Sequence, residues 1–137
     1  MIDLRQVSTQ ALAYLGDCVL EMRVREHLVE SGISSSGKLN AEALSFVRAG
    51  AQAEAMKKLL PLLSEEEAGY FRRGRNIGHS SVPKNATVSD YRTATGMEAL
   101  FGFLHLAGRQ ERIAELFAAA YLSPTEEQVQ QTQSVEQ

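Results

Sequence analysis

Two acids stand where acids are costly. Between Gln6 and Leu20 the only charged residue is Asp17, set in the apolar run Ala11-Leu-Ala-Tyr-Leu-Gly-Asp-Cys-Val-Leu20. Between Thr93 and Leu106 the only carboxylate is Glu98, again among apolar residues. A carboxylate in such surroundings is strongly disfavoured unless it is paired, hydrogen-bonded or bound to a metal. Two carboxylates brought close together raise one another's pKa unless a cation sits between them. A hard ion such as Mg²⁺ suits that gap, because it uses one or two carboxylates, keeps several waters and takes oxygens from substrate phosphates. Such an ion activates water and stabilises a phosphoryl transition state. Glu21 lies one turn beyond Asp17 and is a candidate third acid. The competing reading is a buried ion pair, with Arg23 or Arg92 as partner, and spacing alone does not decide between the two.

A second feature is electrical. From Phe71 to Ser89 the chain carries Arg72, Arg73, Arg75 and Lys84 and no acid, although its formal net charge is −3. Gly and Ser residues make this a loop-like segment suited to phosphate contacts, which position a nucleic acid without reading its sequence. Asn76 and Asn85, with His79, Ser80 and Ser81, can add hydrogen bonds to sugar or phosphate. A merely solvated surface loop is the simpler alternative, and charge alone favours it.

Other chemistries lack their signatures. The three histidines are scattered, with no zinc spacing. A P-loop is missing, and no serine sits in a nucleophile-elbow context. Cys18 is the single cysteine, so no internal disulfide is available, and its position predicts a small core residue.

The elements that must position these residues read as helices. With 137 residues, 44% of them hydrophobic and three of them proline, the chain suits one soluble all-α domain of about six helices. The first helix runs from a Ser8 or Thr9 cap to about Glu30, is apolar almost all round over its first half, and is expected to be central and buried; Gly32 terminates it. A second begins at Lys38 and breaks near Gly50, and a third closes near Pro61. Ser64-Glu-Glu-Glu67 is a capping box opening a fourth. Residues 76–88 form a loop, and Ser89 or Asp90 caps a long fifth helix ending at Gly108. Gln110 to Tyr121 forms the sixth. The boundaries expected are a domain over 1–122 and a polar, Gln-rich, disordered tail over 123–137. No leader peptide and no membrane span are visible, so a cytoplasmic protein is expected.

These residues resemble a known family. Leu15-Gly-Asp-Cys-Val-Leu20 resembles the signature helix of the ribonuclease III catalytic domain, and Glu98-Ala-Leu-Phe-Gly-Phe-Leu-His-Leu106 its second catalytic helix. Between them, Arg72-Arg-Gly-Arg-Asn76, Ser81-Val-Pro-Lys-Asn85 and Tyr91-Arg-Thr-Ala-Thr-Gly-Met-Glu98 are similar to the short Mini-ribonuclease III branch, which lacks a double-stranded-RNA-binding domain. The likeness spans about residues 8–122. It implies an all-α fold, a homodimer, and cleavage of double-stranded RNA that depends on Mg²⁺, with Mn²⁺ as a substitute. It also implies 5′-phosphate and 3′-hydroxyl products and a role in maturing the 23S ribosomal RNA precursor, hence in ribosome biogenesis. Carried over by position, Asp17 and Glu98 match the acids that hold the catalytic metal. The segment holding Arg72, Arg73, Arg75, Asn76, Lys84 and Asn85 would grip the RNA, and Tyr14 would lie at or near the subunit contact.

The chain departs from full-length ribonuclease III in its acids. Gln10 and Ala13 stand where the longer enzymes carry further acids on the first helix, and Thr95 stands where they have an aspartate. Waters, Thr95 or Glu21 must then complete the metal's shell. Two alternatives share the same residues. One is a non-catalytic protein that binds structured RNA on this scaffold. The other is an all-α nucleotide pyrophosphohydrolase, although Glu65-Glu66-Glu67 is consecutive and better explained as a helix start.

Overall fold

The computed structural model describes residues 2–77 and 86–122. Lys84, Asn85 and the 123–137 segment lie outside the described residues. Six helices follow one another: α1 Thr9–Glu30, α2 Ser36–Val47, α3 Ala49–Leu59, α4 Glu65–Arg75, α5 Val88–Leu106 and α6 Gln110–Phe117. A 3₁₀ turn, Leu60–Leu62, follows α3, and α6 runs on into a π-helical turn, Ala118–Leu122. No strand occurs among the described residues, so the fold is all-α. No helix among them is long and apolar enough to cross a membrane.

Local chemistry sets most of the helix ends. Ser8 caps α1 by accepting from the Ala11 N–H at 3.1 Å. Gly32, at φ +89°, turns the chain out of it, as Gly108, at φ +74°, does after α5. Ser64 and Glu67 close a reciprocal capping box at the start of α4. The break expected near Gly50 falls at Arg48, whose extended backbone (ψ 147°) ends α2 and starts α3. Thr87, not Ser89 or Asp90, caps α5, its hydroxyl accepting from the Asp90 N–H at 3.0 Å.

Helix α5 is the axis of the molecule. Met97, Ala99, Leu100, Phe101 and Leu104 are fully shielded from solvent, and α1, α3 and α4 pack around them. Burial of this kind contributes about 1.5–3 kcal/mol per large apolar side chain. Helix α1 is not the wholly buried rod its composition suggests. It buries Leu12, Ala13, Gly16, Leu20, Val24 and Leu28. Its outer side shows Tyr14 at 87% exposure, Met22 at 57% and Val29 at 63%. Cys18 is exposed on that same side, which corrects its assignment to the core. The sequence marks α1 as apolar on both sides, but the described residues pack against only one of them.

Candidate functional site

Two glycines let α1 and α5 cross with their backbones touching. A Cβ added to Gly16 would overlap the Glu98 carbonyl oxygen and come within 2.9 Å of the Gly102 nitrogen; one added to Gly102 would overlap the Leu12 carbonyl oxygen. Asp17 follows Gly16, and Glu98 is the residue that Gly16 meets. The crossing therefore brings the two acids onto one cleft of about 410 Å³. Gln10, Ala13 and Tyr14 of α1 line it beside Asp17, and Tyr91, Ala94 and Thr95 of α5 line it beside Glu98. Val47, Ala49 and Gln52, from the junction of α2 and α3, close the third side.

The acids differ in setting. Asp17 is exposed and Glu98 is partly buried. Burial first, and the Asp17 charge second, push the Glu98 carboxyl up to about 8. Partial burial, then the Glu21 charge, raise Asp17 from its ordinary value. Neither acid joins an ion pair among the described residues. The alternative of a pair with Arg23 or Arg92 is therefore not what the fold builds. Arg23 donates to Gln110 Oε1 at 3.4 Å, and Arg92 lines a different depression. Glu21 accepts from Arg25 at 2.7 Å on the surface and is absent from the cleft lining. The Thr95 hydroxyl donates to the Tyr91 carbonyl at 2.9 Å, and its oxygen keeps capacity to accept.

Among the described residues no three His, Cys, Asp or Glu side chains converge. The donor set is two unpaired carboxylates and a hydroxyl, all oxygen. That set does not suit zinc, whose sites hold three or four N, S or O protein ligands. It fits a hard divalent ion that keeps much of its water and completes its shell with phosphate oxygens.

Sequence reasoning passed over Gln52. It is only 5% exposed, and its side-chain amide makes no hydrogen bond among the described residues. A buried amide left in that state costs about 1–3 kcal/mol. The available signal was a polar residue on the face of α3 that carries Ala55, Met56 and Leu59 into the core.

The basic residues lie on adjoining surfaces. The Arg73 guanidinium stacks 4.3 Å over Tyr70, Tyr70 stacks on Phe103 with centroids 3.9 Å apart, and Arg109 lies 5.2 Å over the far face of that pair. Arg75 lies 5.6 Å over Phe71. With Asn76 it lines a depression of about 330 Å³ that Val88, Ser89, Arg92 and Thr93 complete. Arg72 is exposed on the same last turn of α4. Arg92 thus joins the basic set, which sequence reasoning had considered only as an ion-pair partner. The first half of α5 presents Tyr91, Thr95 and Glu98 to the acidic cleft and Ser89, Arg92 and Thr93 to the basic depression. A larger depression of about 670 Å³ borders Glu67 and Arg112. Its central charges satisfy each other: Arg112 donates to both Glu67 oxygens at 2.9 Å and to the Leu62 carbonyl at 2.7 Å. That pair ties α4 to α6 and offers no free chemistry.

Comparison with known proteins agrees with this architecture. Residues 10–109 match the family described as Ribonuclease III domain. A Mini-ribonuclease 3 of Symbiobacterium thermophilum is 46% identical over 109 residues, covering 80% of this chain and 84% of that relative. A Mini-ribonuclease 3 of Enterococcus faecalis is 42% identical over 118 residues, covering 85% of this chain and 89% of the relative. A crystal structure of a Fusobacterium nucleatum protein superposes with a TM-score of 0.77 at 31% identity, over 85% of this chain and 93% of that one. The two acids therefore sit on the shared helices of a matched domain: the chain belongs to the ribonuclease III family, in its Mini-ribonuclease 3 branch.

Proposed function

We propose that this protein is an endoribonuclease that hydrolyses double-stranded RNA at the Asp17–Glu98 cleft with the help of Mg²⁺, or of Mn²⁺ in its place. The observation that carries this reading is the meeting of two unpaired carboxylates, 81 residues apart in sequence, on one open cleft. When bound, the divalent ion supplies an activated water and charge neutralisation at the scissile phosphate. The chain's own residues do the rest. Asp17, exposed at the rim, and Glu98, deeper in, hold the ion from two helices. With the ion bound both carboxylates would be ionised, and Glu98 would release the proton that its burial favours. Thr95 Oγ1, which gives its proton to the Tyr91 carbonyl, would accept a hydrogen bond from water in the cleft. Val47, Ala49 and Ala94 give the cleft apolar walls, which strengthen these interactions by excluding bulk water.

Duplex RNA is recognised mainly by its shape, its phosphates and its 2′-hydroxyls. Arg72, Arg75, Asn76 and Arg92 offer phosphate contacts next to the acids, while Arg73 is held against Tyr70 and supports the surface they form. Lys84 and Asn85 belong to the same proposed grip by sequence. The outer stripe of α1, with Tyr14, Cys18 and Met22, supplies an apolar face for a second copy of the chain, and a two-fold homodimer would set two clefts across one duplex. Among duplex RNAs, the 23S ribosomal RNA precursor is the proposed substrate, an expectation carried by the sequence resemblance to the short ribonuclease III branch.

The test is cleavage of a labelled RNA duplex with Mg²⁺ or with chelator, using wild type, Asp17→Asn and Glu98→Gln side by side. Cuts made only with metal, and lost by at least 100-fold in both variants, support the assignment. Binding without cleavage in the wild type would move it to a non-catalytic RNA-binding protein.

A further inference from the structure

One group in the cleft has no role in the scheme above. Gln52 is buried to 5% exposure and lines the same cleft as Asp17 and Glu98. Its backbone N–H is used within the helix, donating to the Arg48 carbonyl at 2.9 Å. Its carboxamide has no hydrogen-bond partner among the described residues, including the two acids beside it. Buried polar groups are almost always satisfied, so an amide in this position points to a body that the described residues do not themselves provide. Leucine would fill the same place on this core-facing stripe without that cost.

We propose that the Gln52 carboxamide oxygen is the third protein ligand of the divalent cation held by Asp17 and Glu98. This rests on the reading of that cleft as a metal site. Amide carbonyls are ordinary ligands for hard divalent ions. A neutral ligand also solves a problem of charge. Two carboxylates balance a divalent ion, and the filled site is then neutral toward an incoming phosphodiester. A third carboxylate would hold the ion more tightly but leave the site negative, opposing the RNA backbone. Gln52 adds an oxygen without adding charge, and it comes from α3, so the ion is tied to a third helix.

Mn²⁺ titration of the metal-free protein, without RNA, followed by the electron paramagnetic resonance signal of the free aqua ion, tests this directly. Three variants are compared with wild type: Gln52→Leu, Gln52→Glu and Asp17→Asn. Gln52→Leu is expected to weaken Mn²⁺ binding about 10-fold, yet to melt at or above the wild-type temperature when metal-free, since it removes an unpartnered buried amide. Gln52→Glu, also the second variant should the leucine protein fail to fold, is expected to bind Mn²⁺ several-fold more tightly and to show a raised KM for duplex RNA. Mn²⁺ affinity unchanged within twofold in both Gln52 variants, while Asp17→Asn abolishes binding, would overturn the role of Gln52 and leave the metal site standing. No Mn²⁺ binding by the wild type, or full binding by Asp17→Asn, would overturn the metal site and this inference together.

Discussion

Replacing Glu98 by glutamine should make the metal-free protein more stable while destroying its activity. The carboxyl is pushed up to about 8 by burial and by the Asp17 charge, from an ordinary 4.5. A folded-state pKa above the unfolded one means that the folded chain keeps a proton that the unfolded chain has lost. Stability is therefore unaffected by this group below about pH 4.5 and falls as pH rises from there to about 8. Each pH unit in that window is worth about 1.4 kcal/mol, which sets a ceiling of about 5 kcal/mol at pH 8. The cleft opens to solvent, so water entry and side-chain relaxation reduce this to about 2–3 kcal/mol. Glutamine keeps the shape and carries no titrating charge. In chelator at pH 8, Glu98→Gln should melt about 5–10 °C above wild type, and the gap should close at pH 5. Adding Mg²⁺ should raise the wild-type midpoint and leave Glu98→Gln unmoved. Differential scanning calorimetry in matched buffers reads all three. A variant no more stable than wild type at pH 8, or a gap that persists at pH 5, would refute the placement of an unpaired, desolvated carboxylate at this crossing.

Four further outcomes follow from separate contacts. Gly16→Ala forces a methyl group into the Glu98 carbonyl, so urea unfolding should show a loss of more than about 3 kcal/mol, with cleavage lost as well. Arg112→Ala leaves Glu67, 3% exposed, as an uncompensated buried charge, and should cost about 3 kcal/mol at pH 7. The Arg112 hydrogen bonds are the largest of the influences that hold the Glu67 carboxyl below its usual range, so the wild-type advantage should shrink as pH falls through the acid range. Tyr14→Arg places a charge on the exposed stripe of α1, and sedimentation equilibrium should then show monomer under conditions where the wild type is a dimer. Arg75→Ala removes one proposed phosphate contact, and the slope of log Kd against log salt for duplex RNA should fall by about 0.7–0.9.

What the sequence revealed divides along physical lines. Helix ends were legible where one side chain or one glycine decides them, as with Ser8, the Ser64–Glu67 box, Gly32 and Gly108. The start of α5 was misplaced by two or three residues because Thr87, Ser89 and Asp90 are all capable caps. Only the backbone reveals which hydroxyl accepts from the Asp90 N–H. The pairing of Asp17 with Glu98 was legible because small residues flank both, and a close crossing is what small residues permit. The exposure of Cys18 was not, because an apolar helix face reads the same whether it meets its own chain or another. Gln52 was legible but passed over: it shares the helical spacing of Ala55, Met56 and Leu59, the residues that α3 turns into the core.

The same crossing that makes the site also limits the fold. Moving the α1 and α5 backbones into contact at Gly16 and Gly102 shields the Glu98 carboxyl and brings the Asp17 charge to bear on it. Both effects oppose folding in the absence of a cation, and a cation bound at the proposed site would offset both. A looser crossing would be more stable when empty and would hold an ion less well, because its carboxylates would be better hydrated and farther apart. The cost is met along the rest of α5, where Met97, Leu100, Phe101 and Leu104 are sealed from solvent among residues of α1, α3 and α4. Those side chains flank Glu98 on the same helix. The apolar packing that fixes them therefore also fixes the point on α5 from which the carboxylate enters the cleft.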